Sequence, residues 1–550
     1  MTGSVANVST DDLNTQSNTT IGQALQGKIA GVDIVSQGGA PGGSTRIMVR
    51  GIGTLNNSSP LYIVDGMYMS GIDHINPNDI ASIDVLKDAS SAAIYGSRAA
   101  NGVIIVTTKE GSNTEGKPIV DLSANIGVSS PSKYLDLLDA AGWAEVSTIS
   151  RKAAGLSPLE MAQDLASKPD NDWQDLMFGP ALMQNYALSV KGGGKYTTYY
   201  NSVGYTNQDG VMKGTNYQRY TLQSKQDFKK GIFSAGTNVV LTYDQSNPLH
   251  SEVRGGMVGH TIQAIPTWEQ YDESRVGGYG ALYGDVVNLT HPLGMVDDNL
   301  MKRYNENVKI YANAYVSVEF MKGLKYKLNL TPDFQFYRYN NYEGVYDFGL
   351  ATNELTQVTE QQTRTRNVLV ENLLTFDRTF GDHKISVLAG YTYQDSRYRY
   401  LQGSGQGMPT GIMEIDAAAQ GLAVSGNSTR SVLTSILGRA FYSYKNKYLL
   451  TATIRRDGSS KFGSNYRYGN FPSVSAGWNL AEESFVKDNA SWLDQLKLRG
   501  GYGVLGNQEI SDYQFVSVVT TGINYPDGKD DSNTYHLAEG WQLFDQFKMH

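Results

Sequence analysis

The chain has 550 residues, 59 of them Gly and 36 Tyr, only 18% charged, with a formal net charge of -8. That profile belongs to many short strands and turns rather than to helices, and an acidic balance without a basic cluster argues against a nucleic-acid partner. Zero Cys excludes structural disulfides and thiolate metal sites and suits an exported bacterial protein.

No window approaches the ~18 consecutive apolar residues of a transmembrane helix. A membrane barrel stays open, because its strands alternate and hydropathy hardly sees them. Residues 1–19 are polar, Ser/Thr/Asn-rich and read as a partly ordered leader, and Met1-Thr2-Gly3 opens no signal peptide. Thr20 can cap a helix carrying Ile21, Ala24, Leu25 and Ile29 that Gly31 ends. Strands are expected over Val32–Val35, Arg46–Arg50 and Leu61–Val64. The turn residues are Arg50-Gly51 and Asp65-Gly66, and Asn76-Pro77 opens a helical turn.

Ile83 to Lys109 reads as strand, short helix, glycine turn and strand. Asp88 is the expected N-cap, Tyr95-Gly96 the helix stop, Asn101-Gly102 the turn, and Val103–Thr108 a β-branched strand. Residues 20–111 thus form a small α+β domain with a mixed sheet.

From residue 118 onward the texture is alternation. Leu122, Ala124, Ile126 and Val128 alternate with polar neighbours, and so do Leu324 to Leu330, Ile385 to Tyr391 and Tyr448 to Ile454. Tight connections (192–195, 229–231, 321–323, 381–382, 445–447) alternate with long ones (245–305, 337–365, 396–428). Short turns at one end and long loops at the other favour an outer-membrane barrel over a soluble sandwich. About thirteen strands fit between Val120 and Val504. A helix is expected in the first long loop, over Asp136–Ala154 and ended by Gly155.

Enzyme chemistry finds little footing. Gly501-Tyr502-Gly503-Val504-Leu505-Gly506 fits a dinucleotide fingerprint only literally, since no amphipathic helix follows, and it reads as a strand entering a loop. The seven histidines show no ligand spacing, and neither a nucleophile elbow nor a carboxylate pair stands out. Asp527, Asp530, Asp531 and Asn533 are an acidic loop that could hold Ca²⁺ but lacks the full calcium-loop pattern. No other cofactor is expected.

The wording QALQGKIAGVDIV, RIMVRGIGT, PLYIVDGM and VLKDASSAAIYGSRAANGVIIVTTK, in this order, resembles the plug domain of TonB-dependent outer-membrane transporters. NDWQDLMFG, YTNQDGVM and GRAFYSYKNKYLLTATIRRDGSSKFG extend the resemblance to the SusC/RagA branch of the Bacteroidetes over nearly the whole chain. The resemblance implies a plug followed by a transmembrane antiparallel β-barrel that closes with 22 strands. Residues 118–550 would then be its N-terminal portion, and the chain a fragment truncated at both ends, without signal peptide or TonB box.

It further implies import of an oligosaccharide or peptide across the outer membrane. A SusD-like surface lipoprotein would be one partner and the TonB–ExbB–ExbD complex the energy source. Alternatives are a signalling receptor of the same kind and a soluble binding or adhesion protein. Enclosure in a polar lumen suggests that Arg46, Arg50, Lys87 and Arg98 pair with barrel carboxylates, each contact worth ~0–1 kcal/mol. Trp268, Tyr271, Tyr279 and Tyr283 are candidate ligand-contacting loop aromatics. Tyr200, Tyr220, Tyr243, Tyr311, Phe376, Tyr391, Tyr393 and Trp478 are candidates for interfacial girdles facing lipid.

Overall fold

The computed structural model describes residues 5–9, 20–36, 38–54, 57–248, 256–490, 492–516, 518–529 and 535–544. Its first part holds β1 (Val5–Ser9), β2 (Val32–Ser36), β3 (Thr45–Val49), β4 (Leu61–Val64), β5 (Met67–Met69), β6 (Ile80–Leu86) and β7 (Val103–Thr108). Five of these make a mixed sheet in the order β1-β6-β7-β4-β5, with β4 and β7 parallel, while β2 and β3 form a separate hairpin. Apolar side chains at alternate positions meet between the sheet, the hairpin and the Ile21–Leu25 helix, burying Leu25, Ile47, Ile83, Val85 and Val106. Each such side chain contributes roughly 1.5–3 kcal/mol by leaving water.

Local chemistry places the breaks. Thr20 accepts from Gln23 N at 3.3 Å and starts the first helix, which stops after Leu25, short of Ile29. Asp88 accepts from Ser91 N at 2.7 Å to start Ala89–Ala92. A 3-10 turn over Ala93–Arg98 follows, broken at Gly96 (φ 57°, ψ -123°). Asp65 and Gly66 both have positive φ, the geometry of a tight hairpin turn between β4 and β5. Part of the expected leader is sheet. Val5–Ser9 pairs antiparallel with β6 and buries Val8, an ordering set by the partner edge rather than by local sequence.

The second part is one antiparallel meander of thirteen strands. It runs through β8 (Ile119–Ser129), β9 (Ala181–Gly193), β10 (Thr197–Asp209), β11 (Asn216–Lys230), β12 (Phe233–Asn247), β13 (Met301–Met321) and β14 (Leu324–Glu343). After a loop hairpin of β15 (Tyr346–Asp347) and β16 (Thr352–Asn353) it continues with β17 (Gln357–Phe380), β18 (His383–Gln406) and β19 (Gln420–Tyr444). It ends with β20 (Tyr448–Ser459), β21 (Tyr468–Asn479) and β22 (Lys497–Gly503), so Gly501 and Gly503 lie in a strand as expected. β23 (Val518–Lys529) and β24 (Tyr535–Phe544) pair separately. Asp530, Asp531 and Asn533 lie outside the described residues. No helix among the described residues is long and apolar enough to cross a membrane.

The alternation resolves into two faces. Leu122, Ile126, Leu450 and Ile454 are exposed on the outer face, whereas Asn329, Thr331, Thr451, Thr453 and Arg455 are buried on the inner face against the small domain. The tight turns fall at one end as expected. Two of the long connections are shorter than expected, spanning 344–356 and 407–419, because β14, β17, β18 and β19 run on beyond the apolar band. There polar residues such as Thr363, Thr365, Arg397 and Arg399 occupy both faces between scattered apolar ones such as Leu401, Leu422 and Val424, so hydropathy no longer alternates although the backbone does. One connection at the tight-turn end, 480–496, is long. Glu483 pins it by accepting from Lys447 Nζ (3.1 Å), Tyr448 OH (2.8 Å) and Trp478 Nε1 (3.0 Å), donors that hold its carboxyl at about 2.

Aromatic rings mark two levels on the outer face. Tyr186, Tyr205, Tyr220 and Tyr243 form a ladder across four strands, and His383, Tyr444, Tyr448 and Trp478 form another near the tight turns. Along β12 the outer face between Phe233 and Tyr243 spans about 33 Å, or about 25 Å after strand tilt, the height of a barrel's apolar band. Tyr200 and Tyr311, expected in a girdle, instead point inward and are buried.

At the other end the long connections share a core of their own. The helix Ala140–Ala153, capped by Asp139, shares this end with Trp173, Met177, Trp268, Leu282, Met295 and Phe348, which pack together from three connections. His291 sits among Trp173, Trp268, Tyr279 and Phe348, with ring centroids 4.6–5.8 Å away.

Candidate functional site: the small domain against the barrel wall

The inner face of the sheet holds the small domain through polar groups that come from strands of alternating sequence. On β11 the inward positions Arg219, Gln223 and Lys225 are all buried. Lys225 Nζ lies 3.5 Å from Asp65 Oδ2 and 2.9 Å from Glu110 Oε1. Asp65 also accepts from Asn238 Nδ2 at 2.7 Å and from Thr108 N at 2.9 Å. Tyr200 OH donates to Asp79 at 2.8 Å, and burial nevertheless pushes the Asp79 carboxyl up. Arg219 donates to the Asp73 carbonyl, and the His74 ring stacks on Tyr311 at 4.6 Å.

A second contact is built on the glycine turn. Arg455 and Asp457, two residues apart on the inner face of β20, form an ion pair at 2.6 Å, both about 1–2% exposed. The turn of the small domain completes their hydrogen bonding. Arg455 Nη1 donates to Ile94 O at 2.6 Å, and Asp457 Oδ2 accepts from Ser97 N at 2.7 Å. A Cβ on Gly96 would stand 2.3 Å from Asp457 Oδ2, so only glycine lets the turn approach the pair.

The four cations expected to bridge to barrel carboxylates do otherwise. Arg46 donates to Ser58 Oγ at 3.1 Å and Lys87 to Ala30 O at 2.6 Å, both within the small domain. Arg50 is exposed on the left-handed Arg50-Gly51 turn, where its backbone N donates to Gly31 O at 3.0 Å. Arg98 lies 3.8 Å over the Tyr68 ring and reaches an amide, Gln394. The interface polarity is reversed relative to the expectation. In the buried pair the carboxylate belongs to Asp65 of the small domain and the cation to Lys225 of the wall. Arg46 and Arg50 lie at the exposed surface of the small domain, where water solvates them, and the half-buried Arg98 meets an amide and a ring rather than a carboxylate. Alternation already puts Arg455 on the polar face of its strand, and the same phase is the signal for Arg219, Lys225 and Asp457, whose plug partners it does not name.

Above the turn lies a polar chamber of about 330 Å³. Ser59, Arg98 and Asn101 line it from the small domain, and Asn367, Gln394 and Lys461 from the wall. Asn101 Nδ2 also donates to Asn57 O at 2.9 Å, and Gly102 (φ 86°) packs against Val49. The Tyr95 ring meets Tyr68 edge-on at 6.3 Å. Among the loop aromatics, Trp268 and Tyr279 are buried in the loop core and offer no ring face to a ligand. Tyr271 and Tyr283 are more than half exposed, Tyr283 beneath Arg275 at 5.2 Å.

The profile of the TonB-dependent Receptor Plug Domain family matches residues 1–103. The chain is 31% identical over 530 residues to the TonB-dependent receptor P39 of Formosa agariphila, covering 95% of this chain and 50% of that protein. It is 30% identical over 550 residues to the TonB-dependent receptor SusC of Bacteroides thetaiotaomicron, covering 93% of this chain and 52% of SusC. The solved RagAB peptide transporter has the same fold, with a TM-score of 0.84 at 22% identity over 99% of this chain and 63% of that one.

The chain belongs to the TonB-dependent receptors of the SusC type. It spans about half the length of the curated relatives it matches. Its small domain is the plug of this family, the meander is barrel wall, and the contacts above are the plug's seat. Receptors of this type are outer-membrane barrel proteins and not enzymes. An outer-membrane setting would turn the tight turns toward the periplasm and the packed loops outward.

Proposed function

We propose that this protein serves TonB-dependent import of a large polar nutrient, of the oligosaccharide or peptide class, across a Bacteroidetes-type outer membrane, with the plug gating the lumen. The observation that carries this reading is the plug's seat. It consists of hydrogen bonds and ion pairs rather than a continuous apolar interface, and water can replace such contacts one at a time. The Arg455–Asp457 pair stays within the wall when the plug turn withdraws, so release exposes a pair that water can solvate and breaks the two bonds to the turn.

The chamber above the plug supports the substrate class. Its amides, hydroxyls, two cations (Arg98 and Lys461) and two carboxylates (Asp333 and Glu509) suit the many donors and acceptors of a glycan or a peptide backbone. Its one ring, Tyr68, is already covered by Arg98. A SusD-like lipoprotein would close over the outward loop core, and TonB–ExbB–ExbD would draw on the plug from the periplasm. In the full-length parent, deleting the segment that contacts TonB is expected to abolish uptake of the labelled nutrient while leaving its binding to purified protein unchanged. Equal loss of uptake and binding would count against energy-coupled import.

A further inference from the structure

A group of five arginines stands on the opposite side of the wall from the plug. Arg364 and Arg366 on β17, Arg397 and Arg399 on β18, and Arg430 on β19 line one cavity of about 930 Å³. Registers between these strands run unbroken through the region, pairing Arg364 with Arg399 and Arg366 with Arg397, while Arg397 also faces Arg430. These positions share strand parity with the exposed Leu374, Tyr391 and Ile436, whereas the other parity carries Glu371, Thr392 and Ser435, buried toward the plug. The arginines therefore face outward.

Like charges directly opposite each other destabilise a sheet unless a counter-charge is supplied. One carboxylate is present, Asp395, and it is taken by Arg430 at 2.7 Å and Arg397 at 3.2 Å. Among the described residues Arg364, Arg366 and Arg399 have no ion-pair partner, and Arg366 Nε is buried without a hydrogen bond. Height decides what could supply the anion. Tyr444, in the periplasmic aromatic ladder, and Arg430 lie fourteen residues apart on β19. That is about 46 Å along the strand and about 35 Å along the membrane normal. An apolar band of about 25 Å leaves the arginines in the headgroup layer of the outer leaflet.

We propose that this cluster binds the phosphate of an outer-leaflet phosphoglycolipid of the lipid A type. Guanidinium forks on adjacent strands would hold the phosphate bidentately, and the exposed apolar residues below would meet its acyl chains. The inference rests on the outer-membrane orientation of the barrel but not on the nature of the imported nutrient.

The test uses the full-length parent in nanodiscs of neutral phospholipid, with lipid A or dephosphorylated lipid A added and bound lipid counted by native mass spectrometry. Saturable retention of lipid A is expected, with roughly tenfold weaker retention of the dephosphorylated form and of an Arg364→Gln/Arg366→Gln/Arg399→Gln variant. Equal retention of the two lipids by the unaltered protein would overturn the proposal, and this arm needs no variant to fold. Displacement of lipid A by millimolar inorganic phosphate would overturn the lipid assignment and leave a free-anion site. Heat-modifiable migration of the variant reports barrel integrity, and unchanged nutrient uptake separates the result from the transport reading.

Discussion

Gly96 stands where the plug turn touches the buried Arg455–Asp457 pair, and its backbone (φ 57°, ψ -123°) lies in a region that side chains avoid. Gly96→Ala meets two penalties, a backbone strain of about 1–3 kcal/mol and a Cβ placed 2.3 Å from a carboxylate oxygen. The plug of this variant is expected to sit loosely, read as faster protease cleavage after Arg98 in the purified full-length protein while the barrel remains heat-modifiable. Cleavage at the unaltered rate would show that the turn is not seated by this contact. At this scale the sequence was half legible. The stop at Tyr95-Gly96 and the cap at Asp88 follow from local backbone chemistry, and both stand. The partners of the plug charges were not legible, because Ser97 and Asp457 are 360 residues apart and nothing local encodes that meeting.

Among the elements, the outward loop core carries a titratable group where none would be expected. His291 Nδ1 accepts from Gly294 N at 3.4 Å and Nε2 donates to Glu269 O at 3.1 Å, while burial among aromatic rings lowers its pKa from 6.5 to about 4. The folded loops thus hold the neutral ring where the unfolded loops would bind a proton. No penalty exists above pH 6.5. As pH falls from 6.5 toward 4 the folded form loses about 3 kcal/mol relative to the unfolded one, and nothing more below that. Hydrogen exchange of residues 256–300, corrected for intrinsic rates, is expected to speed up between pH 6.5 and 4.5, and His291→Gln should flatten that dependence. Two of the aromatics proposed from sequence as ligand contacts, Trp268 and Tyr279, belong to this same core. Tryptophan and tyrosine in a long loop look alike whether they meet a ligand or each other, so only packing separates the two uses.

For the molecule as a whole, the plug's seat predicts that transport requires the plug to move relative to the wall. Ser90 Cβ lies 3.1 Å from where a Cβ on Gly501 would stand, close enough for a disulfide after a small shift of the edge strand β22. These 550 residues contain no cysteine of their own. A Ser90→Cys/Gly501→Cys variant of the full-length parent is expected to lose nutrient uptake when oxidised and regain it on reduction. Uptake by the oxidised form at the unaltered rate would refute plug displacement.

The two-part architecture, the strand count and the family are written in local sequence. Alternation with period two and turn residues at strand ends are local properties, and an antiparallel meander needs only neighbours in sequence to pair. Tertiary structure alone decided which charges seat the plug, which tyrosines face lipid and which face His74 or Asp79, and how far β17 to β19 rise above the membrane. It also decided that Val5–Ser9 joins the plug sheet. These depend on groups brought together across tens to hundreds of residues, where burial rather than local propensity selects the partner.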